Sequence, residues 1–176
     1  MRILGIDPGV SGALALLVNN QFDDCSDMPT MLRGKTSKKQ MVNAAELAKL
    51  VRVMQPDAAV IELVNAMPRT GSSQGMGAAS AFNFGESAGI VRGVIGALGI
   101  EAHYVTPQTW KRRAGLIGGD KEASRARAIL LCPNAPLGRK KDSGRAEAIL
   151  IARFGVAEFD CDPAKADPFR LTGTDG

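Results

Sequence analysis

Residues 2–18 read RILGIDPGVSGALALLV, and this stretch decides the fold. Two apolar runs, 2–7 and 12–18, are separated by a short turn that contains proline and glycine. Apolar runs of six or seven residues bounded by such turn residues are typical of neighbouring β-strands. The segment therefore predicts two paired strands, with the carboxylate of Asp7 at the end of the first.

The rest of the chain alternates between predicted strands and helices. After a third strand at 21–27 and a loop at 29–40, the predicted elements are a helix at 44–54 capped by Asn43, a strand at 58–63, a loop at 64–77, a helix at 78–98, a strand at 101–106, a helix from Asp120 to before Pro133, and a helix to about 154 capped by Asp142 or Ser143. This order predicts a mixed sheet covered by helices, an α/β fold.

Composition limits the class of protein. The chain has 176 residues, of which 45% are apolar and 23% charged, as in one ordinary globular domain. We expect this domain over 1–155 and a loose tail over 156–176. We expect neither a secretory signal nor a membrane span, since no stretch has the ~20 apolar residues that a span needs, and the three scattered cysteines lack zinc-site spacing. We therefore expect a cytoplasmic protein with no membrane partner.

Four acidic residues stand out by their positions. Glu62 lies in an apolar strand and Glu147 in an apolar helix, where an unpaired carboxylate costs several kcal/mol. Asp7 ends the first strand, although an Asp before Pro-Gly is also a common turn former. Asp142 lies near the start of the last helix, where it could simply be an N-cap.

Together these side chains predict a metal site. Oxygen ligands without histidine or cysteine suit Mg²⁺ or Mn²⁺. Two such ions about 4 Å apart can activate water and stabilise the leaving oxygen in phosphodiester hydrolysis. The only histidine, His103, lies in an apolar strand and is interpreted as structural.

A series of short motifs runs in order through residues 1–154. They are GIDPG at 5–9, IE at 61–62, NAMP at 65–68, FNFG at 82–85, Gly89, Gly93, TP at 106–107, WK at 110–111 and RAEA at 145–148. This ordered set resembles the RuvC-type Holliday-junction resolvases, especially their small phage-borne relatives, within the ribonuclease H-like superfamily. The resemblance implies a ribonuclease H-like mixed β-sheet flanked by α-helices.

The resemblance also implies a site and an activity. Asp7, Glu62 and Glu147 would be catalytic metal ligands, with Asp142 as the fourth, for two Mg²⁺ or Mn²⁺ ions in an endonuclease that cuts four-way DNA junctions by paired symmetric nicks. Similar sequences often carry Asp or His three or four residues before the last acid, where this chain has Gly144 and Ser143. Either Asp142 fills that role from one position further back, or the site is weakened.

Basic residues are concentrated next to the last acidic motif. The whole chain carries +4, whereas residues 107–145 contain ten basic and three acidic residues and carry +7. This run is either a solvated helix face or a track for phosphates. The predicted DNA-binding residues are Lys111, Arg112, Arg113, Lys121, Arg125, Lys140, Lys141 and Arg145, of which Lys111 and Lys121 match DNA-contacting lysines of the resembled family. A second basic patch lies between Arg33 and Lys39.

Glycines recur every four residues in the long predicted helix, at Gly85, Gly89 and Gly93. Because each glycine costs about 1 kcal/mol relative to alanine in a helix, the repeat predicts a close backbone approach by the sheet or by a second subunit. The resembled family dimerises through this helix, so we expect a homodimer. Two other hypotheses remain open: a catalytically impaired protein that binds branched DNA, and a ribonuclease H-like nuclease with a different substrate.

Overall fold

The computed structural model describes residues 1–34, 36–63, 77–159 and 169. The predicted loop at 64–77 therefore lies outside the described residues except for Gly77, and so does the NAMP motif at 65–68.

Five strands of the described chain form one mixed sheet, in the order β3-β2-β1-β6-β7. The strands are β1 (Arg2–Asp7), β2 (Ala13–Val18), β3 (Gln21–Asp27), β4 (Thr30–Leu32), β5 (Gln40–Val42), β6 (Ala58–Glu62) and β7 (Glu101–Val105). Strand β1 is antiparallel to β2 and parallel to β6, which is parallel to β7. The predicted fold class, a mixed sheet flanked by helices, is confirmed.

Two of the helices begin directly after the caps that the sequence predicts, Asn43 and Asp120. They are α1 (Ala44–Met54), α2 (Ala78–Ala97), α3 (Pro107–Arg113), α4 (Lys121–Leu131) and α5 (Ser143–Phe159), with a 3₁₀ turn at Lys140–Asp142. The side chain of Asn43 accepts a hydrogen bond from the backbone N–H of Glu46, and that of Asp120 accepts one from Ala123. Each side chain thereby satisfies one of the free N–H groups at a helix start.

Three details differ from the sequence-based expectation. The predicted loop at 29–40 contains β4 and begins β5, which pair as a small antiparallel hairpin. Residues after Thr106 form the short helix α3, since Pro107 lies at its start and the Thr106 side chain caps it. Helix α5 continues to Phe159, beyond its predicted end at about 154, while the loose tail over 156–176 stays a prediction.

The sheet separates two apolar cores because successive strand side chains point to opposite faces. One core packs beneath α3, α4 and α5 and includes Ile3, Val60, Trp110 and Ile149. The other packs beneath α1 and α2 and includes Leu4. Helices α3 to α5 therefore lie on one face of the sheet, and α1 and α2 on the other.

Helix α5 lies directly on β1 at Gly5. A Cβ atom at Gly5 would lie 2.2 Å from the carbonyl oxygen of Ala148 and 2.4 Å from the backbone nitrogen of Ala152. No side chain fits at such distances. Glycine at this position therefore lets the helix backbone rest against the strand, two residues before Asp7 and one residue after Glu147.

Candidate active site

Asp7 and Glu62 are the last residues of two adjacent parallel strands. Ile6 pairs with Ile61 in the register of β1 and β6, so the next residues along the two strands are these two acids. The carboxyl ends of parallel neighbours meet at the same edge of a sheet. The fold therefore brings together two of the acids predicted from sequence.

Glu147 joins this edge from the first turns of α5. Its negative charge raises the pKa of both Asp7 and Glu62, which identifies the three carboxylates as one electrostatic cluster. The glutamate side chain itself is 13% exposed. Three of the four predicted catalytic residues thus act on one another.

Burial is the main reason that Asp7 resists ionisation. It raises the pKa of Asp7 to about 6, and the negative charge of Glu147 adds to the rise. A hydrogen bond of 3.4 Å from the backbone N–H of Gly9 and the positive charges of Lys121 and Lys111 act in the opposite direction. Desolvation and a nearby like charge both disfavour a carboxylate.

Glu62 has a specific partner that the sequence analysis does not identify. The indole N–H of Trp110 donates a hydrogen bond of 2.8 Å to Oε1 of Glu62. Burial raises the pKa of Glu62 to about 7, while the Trp110 hydrogen bond lowers it and the charges of Asp7 and Glu147 raise it. The signal in the sequence is the single tryptophan, since a buried indole N–H requires an acceptor.

Two of the predicted DNA-binding lysines lie at the carboxylate cluster. The Nζ atom of Lys111 is 3.4 Å from Oε1 of Glu147, and this lysine also lowers the pKa of Glu62. Lys121, at the start of α4, lowers the pKa of Asp7. The site therefore combines negative charge at the strand ends with two cations from the neighbouring helices.

Asp142 has a different set of partners. Its buried carboxylate accepts hydrogen bonds from the Arg139 guanidinium, 2.7 Å from Nη2 to Oδ1, and from the Arg139 backbone N–H at 2.8 Å. These hydrogen bonds lower the pKa of Asp142. Within the described ranges, no hydrogen bond or charge interaction joins it to Asp7, Glu62 or Glu147. Its role as a fourth ligand stays a prediction.

The other predicted DNA-binding residues lie outside the carboxylate cluster. Arg145 forms two hydrogen bonds with Asp27, at 2.6 and 3.0 Å, and Arg125 pairs with Glu122. Arg113 pairs with Glu158 at 2.9 Å. The remaining three, Arg112, Lys140 and Lys141, are exposed.

Position 144, one of the two at which the resemblance implies an Asp or His, has no space for a side chain. A Cβ atom at Gly144 would lie 2.6 Å from the carbonyl oxygen of Ser11 and 3.2 Å from Cα of Gly12. The first turn of α5 therefore packs on the turn between β1 and β2, backbone against backbone. Because of this contact, glycine is the residue that fits at position 144.

The glycine stripe of α2 makes no close contact within the described chain. A Cβ atom at Gly85, Gly89 or Gly93 would meet nothing within 4 Å. Of the two packing partners predicted from sequence, the sheet is excluded. The stripe forms part of an exposed face that also carries Phe82, which is 66% exposed.

The donor set has the chemistry of a site for a hard cation. Asp7, Glu62 and Glu147 offer only carboxylate oxygens, which Mg²⁺ and Mn²⁺ prefer. Burial and mutual repulsion raise the pKa values of Asp7 and Glu62, and a bound cation would lower them again. In the described part of the chain, no three His, Cys, Asp or Glu side chains form a ready-made ligand set. Binding of one ion by all three acids would therefore need a change in their side-chain conformations.

No family model matches the chain, and no curated protein matches it. Its structure, however, is similar to solved structures. The structure of Thermus thermophilus RuvC in complex with Holliday junction substrate has 20% sequence identity and a TM-score of 0.56, covering 86% of this chain and 90% of that chain. Another, of Thermus thermophilus RuvC, has 20% identity and a TM-score of 0.47, covering 90% and 96% of the two chains.

Among the helices in the described ranges, none has the length and apolar character needed to cross a membrane.

The mixed sheet, the flanking helices and the match to the junction complex agree with one another. The chain has the ribonuclease H-like fold of RuvC, as the motifs of its sequence predict.

Proposed function

We propose that the chain is a cytoplasmic, homodimeric, Mg²⁺-dependent endonuclease that resolves four-way DNA junctions by paired symmetric nicks. The observation that carries this proposal is the cluster of Asp7, Glu62 and Glu147 at one sheet edge, with Lys111 and Lys121 beside it. The fold adds support, because the neighbour with the TM-score of 0.56 is a RuvC in complex with a Holliday junction.

Asp7, Glu62 and Glu147 would hold two Mg²⁺ or Mn²⁺ ions, and Asp142 would join them if its carboxylate left Arg139. When bound, such ions lower the pKa of water and neutralise charge on the leaving oxygen. The products would be 5′-phosphate and 3′-hydroxyl ends.

The chain's own cations orient the substrate. Lys111 and Lys121 lie at the carboxylate edge, where they would hold the scissile phosphate against the site. The exposed Arg112, Lys140 and Lys141 would contact phosphates on either side of the cut. Trp110 holds Glu62 in place through its indole N–H.

Paired nicking requires two sites. The described residues of each chain contain one such carboxylate cluster, and a four-way junction is matched in symmetry by a two-fold dimer. The exposed glycine stripe of α2 offers a surface on which a second backbone can approach closely, since nothing in the described chain lies within 4 Å of it. We propose this face as the dimer contact.

The experiment compares cleavage of a labelled four-way junction in Mg²⁺ by the wild type, Asp7→Asn and the control Asp23→Asn. Asp23 is an exposed carboxylate on β3, outside the carboxylate cluster. The wild type and the control should cut two opposing strands, while Asp7→Asn binds the junction without cutting. Tight binding without cleavage by the wild type would overturn the enzymatic proposal. If the wild type cut an RNA–DNA hybrid in preference to the junction in a competition assay, the proposed substrate would be wrong.

A catalytically impaired junction-binding protein is the second candidate. The packing of Gly144 against Ser11 favours it, because no ligand can occupy that position. Calorimetric titration with Mg²⁺ or Mn²⁺ separates the two proposals. Binding of two ions per chain supports the nuclease, and no binding supports the impaired protein.

A further inference from the structure

The hairpin formed by β4 and β5 is an addition to the five-stranded sheet. Among the described residues its strands pair only with each other, Thr30 with Val42 and Leu32 with Gln40. A backbone hydrogen bond of 3.0 Å from the N–H of Arg33 to the carbonyl of Lys39 extends this pairing beyond the strands. The hairpin is therefore a separate two-stranded unit.

The hairpin is fixed to the body of the protein at two points. At its base, Val42 is buried in the core beneath α1 and α2, and the backbone N–H of Asn43 donates a 2.9 Å hydrogen bond to Pro29. At its end, Arg33 forms an ion pair with Glu86 of α2. The positive charge of Arg33 is thus paired within the protein, and the pair attaches the hairpin to α2.

Helix α2 connects the hairpin to the active-site edge. A Cβ atom at Gly9, two residues after Asp7, would lie 3.4 Å from Cε2 of Phe84, so this part of α2 contacts the turn next to the site. Glu86, two residues further along α2, holds Arg33. The hairpin therefore lies beside the α1 and α2 face of the sheet, whereas Lys111 and Lys121 approach the site from the opposite face.

The end of the hairpin carries positive charge that the described protein does not neutralise. Lys38 and Lys39 are exposed, and neither side chain forms an ion pair or a hydrogen bond with a described residue. The sequence has no acidic residue from 28 to 45, and it adds Lys35 to the same loop. Positive charge without negative charge, on a hairpin that is held at two points, suits the binding of a polyanion.

Exposed apolar side chains lie next to these lysines. Met31 and Leu32 of β4 are 47% and 54% exposed. Apolar groups beside exposed lysines suit a nucleic acid, which presents sugars and base edges next to its phosphates. A DNA arm therefore fits both features.

We propose that the β4–β5 hairpin is a second phosphate-binding arm, which holds a DNA arm of the substrate on the sheet face opposite α3 and α4. The inference rests on the proposed function in so far as the ligand is the DNA that the site cuts. It adds a specific contact, made by Lys38 and Lys39, to that function.

The test compares Lys38→Ala/Lys39→Ala with the control Lys49→Ala/Arg52→Ala, which removes the same charge from exposed positions on α1. Binding to a fluorescent four-way junction and to a linear duplex is measured in EDTA at several salt concentrations. Each lost phosphate contact reduces the slope of log K against log salt by about 0.9. The hairpin variant should lose about 1.8 from the slope on both DNAs and bind about tenfold more weakly at low salt, while the control keeps the wild-type slope.

The outcomes separate this inference from the proposed function. A hairpin variant with the wild-type slope and affinity overturns the inference, even if the wild type cuts junctions. A wild type that binds DNA through the hairpin but never cuts overturns only the nuclease proposal. A wild type that binds neither DNA overturns both. Thermal unfolding should be unchanged in the hairpin variant, because both lysines are exposed.

Discussion

The indole N–H of Trp110 donates a hydrogen bond to the carboxylate of Glu62, with 2.8 Å between Nε1 and Oε1. Trp110 is fully buried beneath α5, and Glu62 ends β6 at the carboxylate cluster. The hydrogen bond joins the apolar core to the site. It also favours the charged form of an acid that burial disfavours.

Replacing Trp110 by phenylalanine tests this contact. Because the hydrogen bond lowers the pKa of Glu62, Trp110→Phe should raise that pKa further above about 7 and shift the rise of cleavage rate with pH to higher pH. We expect a stability loss of about 1–3 kcal/mol. NMR titration of Glu62 in EDTA measures the pKa without activity. Leu131→Ala, which truncates the same core, should reduce stability but leave the titration unchanged. An unchanged titration in Trp110→Phe would refute the prediction.

The raised pKa values predict how stability depends on pH without metal. Asp7 and Glu62 have pKa values of about 6 and 7, above their ordinary values of 3.8 and 4.5. Between about pH 4 and 7 the folded protein holds protons that the unfolded chain has released, so these groups' contribution is lost as pH rises through their folded pKa values.

Urea unfolding in EDTA at pH 5 and pH 8 measures this effect. The free energy of unfolding should fall more for the wild type than for Asp7→Asn/Glu62→Gln. Under the proposed function, added Mg²⁺ should restore stability at pH 8, because a cation that binds the folded site and not the unfolded chain stabilises the fold. Equal pH dependence in the two proteins would show that these two acids are not its cause.

Gly144→Ala should destabilise the fold. The added Cβ would lie 2.6 Å from the carbonyl of Ser11, in a backbone contact that cannot yield without moving α5. Overpacking of this kind costs about 1–3 kcal/mol. Gly138→Ala is the control, since a Cβ atom there would meet nothing within 4 Å and the position lies outside the glycine stripe, so stability should change by less than about 1 kcal/mol. Urea denaturation measures the free energy of unfolding of both variants. Equal values for the two variants would refute the steric argument.

Gly89→Leu tests the proposed dimer contact. A leucine at this exposed position would prevent close approach of a second backbone, so sedimentation should show a monomer. The variant should still nick a junction, but the two nicks should no longer be coupled. Ala126→Leu, at an exposed position of α4, should leave the dimer intact. A Gly89→Leu protein that sediments as the wild type does would exclude this face as the contact.

Asp142→Asn distinguishes a ligand from a structural acid. The buried carboxylate accepts hydrogen bonds from the guanidinium and the backbone of Arg139, so we expect the variant to melt at a lower temperature. Calorimetry with Mn²⁺ gives the second measurement. Metal affinity close to that of the wild type would assign Asp142 to the 3₁₀ turn. A large loss of affinity would assign it to the metal site.

Local sequence signals are sufficient for much of the fold. Asp7 and Glu62 each end an apolar run, so the residues around them already predict that both lie at strand ends. Asn43 and Asp120 cap helices through contacts within three residues, which sequence reveals directly. Features of this kind depend on neighbours along the chain.

Features that depend on distant residues cannot be predicted in the same way. The partner of Trp110 is 48 residues away, and Arg145 pairs with Asp27 across 118 residues. The β4–β5 hairpin has the sequence pattern of a loop because its strands have three residues each, too few to show a period of two. The sequence around Asp142 indicates a cap and a ligand equally, and only the Arg139 contact shows its partner in the fold.

The contact at Gly5 acts as a built-in spacer for the chemistry. The backbone of α5 rests there on the backbone of β1, and a Cβ atom at Gly5 would lie 2.2 Å from the carbonyl oxygen of Ala148. Any side chain at this position would therefore push the helix that carries Glu147 away from the strand that carries Asp7. The smallest residue of the strand thus fixes how closely the two elements that carry these acids approach each other.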